Sequence, residues 1–139
     1  MLAALRRLTG YHRTAATIAR IALANDVFRR RPYGSPANRV LFTPGVMALA
    51  GWEHTDMLAA AMLLQSHILQ LVGDAFDGAV FEPSDERDTG TVEYLGRTVV
   101  FRITYHSLDF TRPARDPSDK TATARIMTIA LADEPTPYR

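Results

Sequence analysis

The sequence predicts an α+β domain: an antiparallel sheet of about four or five strands with two main helices packed on one face. Two stretches of helical periodicity lie within the first 73 residues, and period-two alternation is concentrated after residue 88. Helices first and strands last is the order of an α+β fold, not of interleaved parallel βαβ units. At 139 residues the chain has the size of one domain with one core, so residues 1–139 are read as a single unit whose ends fray at about 1–10 and 133–139.

Over residues 11–31, Ala15, Ile18, Ile21, Ala22, Asn25 and Phe28 recur at three- and four-residue steps, the spacing of one helix face. Thr14 offers an N-cap if the helix starts late. Arg29-Arg30-Arg31-Pro32 closes it, because cations suit the carboxyl end of the dipole and proline disfavours helical geometry in the residue before it. Asn25 lies on the apolar stripe, where a buried amide must find partners, and is expected to hold a neighbouring loop. Residues 39–43 form a short β-rich run closed by a Pro44-Gly45 turn. With Thr55 or Asp56 as cap, a second helix runs over 57–72 and stops at Gly73. Leu58, Met62, Gln65, Leu69 and Val72 share one face, Leu63, Leu64 and Leu71 broaden it, and so apolar a helix is expected to pack centrally.

Residues 76–82 are a strand candidate and 89–95 another. Over 97–105, Val99, Phe101, Ile103 and Tyr105 alternate with Thr98, Val100, Arg102 and Thr104, the period of a half-buried strand. A turn at Gly96-Arg97 joins these last two strands as a hairpin. A polar loop over 107–120 leads to a final strand at 123–131.

Composition narrows the function classes. With 47% hydrophobic and 22% charged residues the chain lacks the signature of disorder. The absence of cysteine excludes disulfides, thiolate zinc sites, iron–sulfur clusters and thiol nucleophiles, and suits the cytoplasmic location expected here. Residues 1–8 lack the order of a secretion signal, and the longest apolar run, 57–64, is far short of the roughly 20 residues that span a bilayer, so no membrane association is expected. The net charge of +1 hides a segregation: residues 1–39 carry eight arginines against Asp26, whereas residues 40–96 carry nine acids against Arg87.

No phosphate-cradling glycine loop, nucleophile elbow, His-Glu-x-x-His pair or calcium loop occurs. His12, His54, His67 and His106 include no pair three or four residues apart, so neither a metal nor a cofactor is expected. His106 ends the clearest strand near Asp109, which reads either as an acid–base pair or as polar residues leaving the sheet. The most unusual segment is acidic: Asp74, Asp77, Glu82, Asp85, Glu86, Asp88 and Glu93 fall within twenty residues. Such carboxylates bind a cation, imitate the spaced phosphates of nucleic acid as a local patch, or form a solvated hairpin face. The basic cluster Arg29, Arg30, Arg31 and Arg39 offers contacts to nucleic-acid phosphates, or simply complements the helix dipole.

Four segments carry a family resemblance: Asn25-Asp26 with Arg29, Thr43-Pro44-Gly45-Val46 with Leu49, Glu86-Arg87-Asp88-Thr89-Gly90, and Asp116-Pro117-Ser118-Asp119 followed by residues 123–134. Together they resemble an uncharacterised family, a domain of unknown function of small proteobacterial proteins carried on plasmids and integrated elements, over about residues 18–134. The family pattern has histidine where this chain has Arg87, and Lys-Ile-Asp-Tyr-Tyr-Asp where it has Arg102-Ile103-Thr104-Tyr105-His106-Ser107. Both departures remove groups from any shared acid–base or metal site. The resemblance implies a setting near antirestriction genes on mobile DNA.

The expected function is therefore a non-catalytic protein-binding inhibitor of a host nucleic-acid-targeting defence complex, of the anti-CRISPR or antirestriction type, with the 74–93 carboxylates entering a nucleic-acid groove. The alternatives are a nucleic-acid-binding accessory protein using the basic first helix, and a small enzyme around His106.

Overall fold

The computed structural model describes residues 13–51, 57–79 and 82–135. Helix α1 (Ala15–Arg30) is capped by Thr14, whose side chain accepts from Thr17 N, and ends where Arg31 N–H closes onto Val27 O ahead of Pro32. Strand β1 (Arg39–Phe42) follows. The expected Pro44-Gly45 turn is instead the opening of a one-turn helix, α2 (Pro44–Met47), because Thr43 caps it and proline at the first position loses no hydrogen bond there. A 3-10 turn (Ala48–Ala50) continues it to Gly51. Helix α3 (Met57–Gly73) has the expected span, while its candidate caps Thr55 and Asp56 lie outside the described residues.

Strands β2 (Thr89–Tyr94), β3 (Arg97–His106) and β4 (Ala124–Leu131) form an antiparallel meander. The tight turn is centred on Leu95-Gly96, one residue earlier than the sequence suggested; both residues have positive φ, as a two-residue turn matching strand twist requires. The sheet order is β1-β4-β3-β2, and β1 runs parallel to β4, so the sheet is mixed and not wholly antiparallel. Residues 76–82 supply no strand among those described: the chain leaves α3 through turns, with Asp77 N donating to Asp74 O and Ala79 N to Phe76 O. Phe76 is used for packing, edge-on to Phe101 at 6.1 Å between centroids.

The core joins Phe28, Val46, Leu64, Ile68 and Val72 to alternate residues of β3 and β4. Cross-strand neighbours Val99 and Leu131, Phe101 and Ile129, and Ile103 and Met127 lie in successive rows on one sheet face. Gly90 on β2 makes room for this row, since a Cβ there would sit 2.5 Å from the Phe101 ring. Glu134, expected in the fraying tail, is held: its carboxylate accepts from Thr43 Oγ1 at 2.5 Å, Gly45 N at 3.3 Å and Leu131 N at 2.8 Å. Helix α3 does not pack centrally. It buries Leu64, Ile68 and Val72 at four-residue steps and leaves Leu58 72% and Met62 62% exposed, because only one of its sides meets the core.

Candidate functional site

The apolar rows of the β3–β4 ladder end abruptly. The next pair on the same face is Tyr105 and Arg125, and from it a polar network extends into the interior. Helix α1 meets that end with Asn25, one turn beyond Ile21 on its buried stripe. The Asn25 side-chain amide donates to Glu86 O at 3.0 Å and to the Tyr105 hydroxyl at 2.8 Å, and its carbonyl accepts from Arg125 Nε at 2.9 Å. Asn25 thus holds the 85–88 loop, as its place on the stripe predicted. The Tyr105 hydroxyl passes its proton bond on to Glu86 Oε1 at 2.8 Å, and the other carboxylate oxygen is paired with Arg13. Glu86 is 1% exposed.

A second set of contacts fixes the same loop one turn further along the inward side of α1. Asp26 bridges Arg29 and Arg87, with the Arg87 contact at 2.7 Å, and Arg29 Nη1 donates to Arg87 O at 2.7 Å. The Arg29 guanidinium also stacks over Phe76, 4.5 Å from the ring centroid. Arg87 adopts positive φ, and Asp85 Oδ1 accepts from Arg87 N at 2.8 Å, so the turn is locally stabilised. Next along the chain, Asp88 is buried and its carbonyl accepts from Ile103 N at 2.7 Å.

The electrostatics follow from burial. Burial, then the nearby Glu86 and Asp88 charges, push the Tyr105 phenol well above its ordinary range, so it stays a neutral donor. Burial pulls the Arg29 and Arg125 guanidinium values down; the hydrogen bond to Asp26 works against this for Arg29, and the nearby Glu86 carboxylate for Arg125. The arrangement is suited to holding one loop rigidly between α1 and β3. It is not open for catalysis at Glu86, whose carboxylate is enclosed and already paired.

The seven carboxylates of the acidic segment do not share one surface. Glu86 and Asp88 are inside and Asp85 is half-buried. Asp74, Asp77, Glu82 and Glu93 are exposed; Asp77 meets Arg30 at 2.9 Å, and Glu93 accepts from Thr98 Oγ1 at 2.7 Å. The basic cluster divides as well. Arg29 is buried in the network, and Arg31 is exposed. Arg39 donates to Pro36 O and Asn38 O and lies over Phe110 at 5.2 Å.

His106 and Asp109 do not act on each other. His106 Nε2 lies 2.8 Å from Thr104 Oγ1, whereas Asp109 accepts from Ser107 Oγ at 2.6 Å and from Thr111 N and Oγ1 at 3.1 and 2.7 Å. Those bonds, led by that from Ser107, hold the Asp109 carboxyl down at about 2. This is a loop-closing aspartate.

Outside the network, α3 carries the largest departure from ordinary burial. Met57, Leu58, Met62, Leu63 and Leu71 are all exposed along it. At its carboxyl end His67, Leu71, Asp74 and Tyr94 border a shallow hollow. Tyr105 and Arg125 were not singled out from composition or motifs, yet a signal existed for Arg125: period-two counting places it in register with Met127, Ile129 and Leu131 on the core face. Among the described residues no helix is long and apolar enough to cross a membrane, and no three metal-ligating side chains cluster.

A family model described as a protein of unknown function (DUF3768) matches residues 42–134. No curated protein and no solved structure matches the chain. The matched span contains the Thr43, Glu86–Gly90 and 116–134 segments; Asn25, Asp26 and Arg29 precede it but close onto its Glu86 and Arg87.

Proposed function

The chain belongs to this family of unknown function, and from that premise we propose that it is a non-catalytic protein-binding inhibitor that protects mobile DNA in a proteobacterial cytoplasm from a nucleic-acid-targeting defence complex. The observation that carries the reading is the outward apolar face of α3, with Leu58, Met62 and Leu63 in solvent and the exposed carboxylates of Asp74 and Asp77 at its carboxyl end. Contiguous exposed apolar surface of this kind is characteristic of association sites. An acidic margin fits a partner whose groove is basic because it handles nucleic acid. The docking surface in this reading is α3 with Asp74, Asp77 and Glu82. Glu86 and Asp88, withdrawn into the interior, stabilise the domain instead of entering the partner. The resemblance to proteins encoded near antirestriction genes supports the choice of partner.

The test is capture of the tagged protein from host cells with active restriction and CRISPR systems, in nuclease-treated and untreated halves, beside a Leu58→Ser/Met62→Ser variant. A defence complex recovered in both wild-type halves and lost with the variant is expected. Recovery that disappears on nuclease treatment would make the protein a nucleic-acid binder and overturn the proposal.

A further inference from the structure

Behind the polar network lies a cavity of about 300 Å³ between the carboxyl end of α1, residues 34–38 and residues 120–125. Among the described residues its wall includes three cations, Arg31, Lys120 and Arg125, and no carboxylate. Ser35, Asn38 and Thr123 add polar atoms, and Val27 and Phe28 supply an apolar side. None of these features was needed to explain the proposed docking surface, which involves α3.

Arg125 is the informative residue. It is only 4% exposed, yet among the described residues no carboxylate lies within ion-pair distance of it. Its guanidinium has five N–H donors. Two are committed, Nε to Asn25 Oδ1 at 2.9 Å and Nη2 to Pro117 O at 2.6 Å, both neutral acceptors. The Tyr105 ring lies 5.2 Å from its carbon. Among the described residues Nη1 has no acceptor, and Arg125 lines the cavity, which therefore offers its remaining donors a ligand. Burying a cation whose direct contacts are all neutral is costly; the nearby Glu86 carboxylate offsets part of this without pairing to it, and an anion in the cavity would supply a direct counter-charge.

The fold holds this guanidinium in place before any ligand arrives. Asn25 and the Pro117 carbonyl fix its plane from two sides, and Asn38 Oδ1 accepts from Arg125 N at 3.1 Å, tying the 34–38 loop to β4. A preorganised fork is what bidentate recognition of a tetrahedral oxyanion requires. Three positive charges match a dianion better than a monoanion, and the cavity volume, at the low end for ligand pockets, limits the rest of the ligand to a small body resting on Val27 and Phe28.

We propose that this cavity is a binding site for a small phosphomonoester, its phosphate held by Arg125 and closed over by Arg31 and Lys120. The experiment is calorimetric titration of the full chain with adenosine monophosphate, inorganic phosphate and adenosine, repeated on an Arg31→Ala/Lys120→Ala variant. Both substituted side chains are exposed, so the variant keeps its fold, and its unliganded melting temperature checks this. The expected result is saturable binding of the monophosphate, weaker binding of inorganic phosphate, none of adenosine, and affinity lowered about tenfold or more in the variant. An Arg125→Lys variant, which keeps the charge but loses the fork, should also bind more weakly. Binding of adenosine equal to that of its monophosphate, unchanged affinity in the double variant, or no heat with any of the three probes would overturn the assignment.

Discussion

The two long helices depart from ordinary amphipathic burial in opposite senses. Helix α1 turns Asn25 and Arg29 inward, whereas α3 turns Leu58, Met62 and Leu63 outward. On α1 most of the cost is met within the chain: the Asn25 amide and carbonyl, Arg29 Nη1 and Nη2 and the Glu86 carboxylate have protein partners, and among the described residues only Arg29 Nε on this helix is sealed without one. On α3 nothing in the described chain covers the apolar side chains. Polar burial met largely by hydrogen bonds indicates a part that holds the domain together, while apolar exposure left uncovered indicates a part that meets something else.

This contrast breaks most readily at Glu86. Replacing it with alanine leaves Arg13 without its carboxylate and removes the acceptor of Tyr105, so Glu86→Ala should lower the unfolding free energy by about 3–5 kcal/mol in urea titrations, the range for halving a buried pair. A loss below about 1 kcal/mol would mean that the network is incidental to stability.

A smaller effect is expected at Tyr105. Tyr105→Phe removes one donor from Glu86 and one acceptor from Asn25, at about 1–3 kcal/mol. It should also change the alkaline response. The folded phenol is held above its ordinary range, so wild-type stability from this group is complete below about pH 10 and declines as pH rises beyond it, where the unfolded phenol ionises and the folded one does not. The phenylalanine variant should lose that part of the decline. Unfolding curves collected from neutral to alkaline pH decide the matter, and identical slopes for the two proteins would contradict it.

The smallest effect belongs to α3. Leu58→Ser with Met62→Ser should leave unfolding free energy within about 0.5 kcal/mol of wild type, since both side chains already face solvent. A large destabilisation would show these residues to be part of the core and remove the contrast between the helices.

Much of the fold was legible because it depends on local periodicity. The span of α3, the β2–β3 hairpin, the alternation of Val99, Phe101 and Ile103, and the Thr14 cap all follow from neighbours within a few residues. The parallel pairing of β1 was not legible, because a four-residue strand carries no mark of its partner. The buried face of α3 was misread: of the stripe Leu58, Met62, Gln65, Leu69 and Val72 only Val72 is buried, beside Leu64 and Ile68, because leucine or methionine surrounds most of the helix and leaves its core side unmarked. The candidate site was legible in pieces. Asn25 was read correctly as a loop-holding amide, and the acidic segment was recognised as unusual. Its division into enclosed and solvent-facing carboxylates depends on Arg13, Tyr105 and Asn25, which lie far from it in sequence.

The pairing of β1 with β4 has a consequence for synthesis. Asn38 waits for Arg125, 87 residues later, and Thr43 for Glu134, 91 residues later. A nascent chain therefore carries an unpaired edge strand until β4 has left the ribosome, whereas α1 and the β2–β3 hairpin close locally. High contact order of this kind slows the last folding step and lengthens the time in which Val40 and Phe42 can pair with the wrong neighbour. The carboxylate of Glu134 acts as a latch that arrives after β4: it fastens the start of α2 to the end of β4, and a chain cut short before it would hold its first strand in place only by the ladder itself.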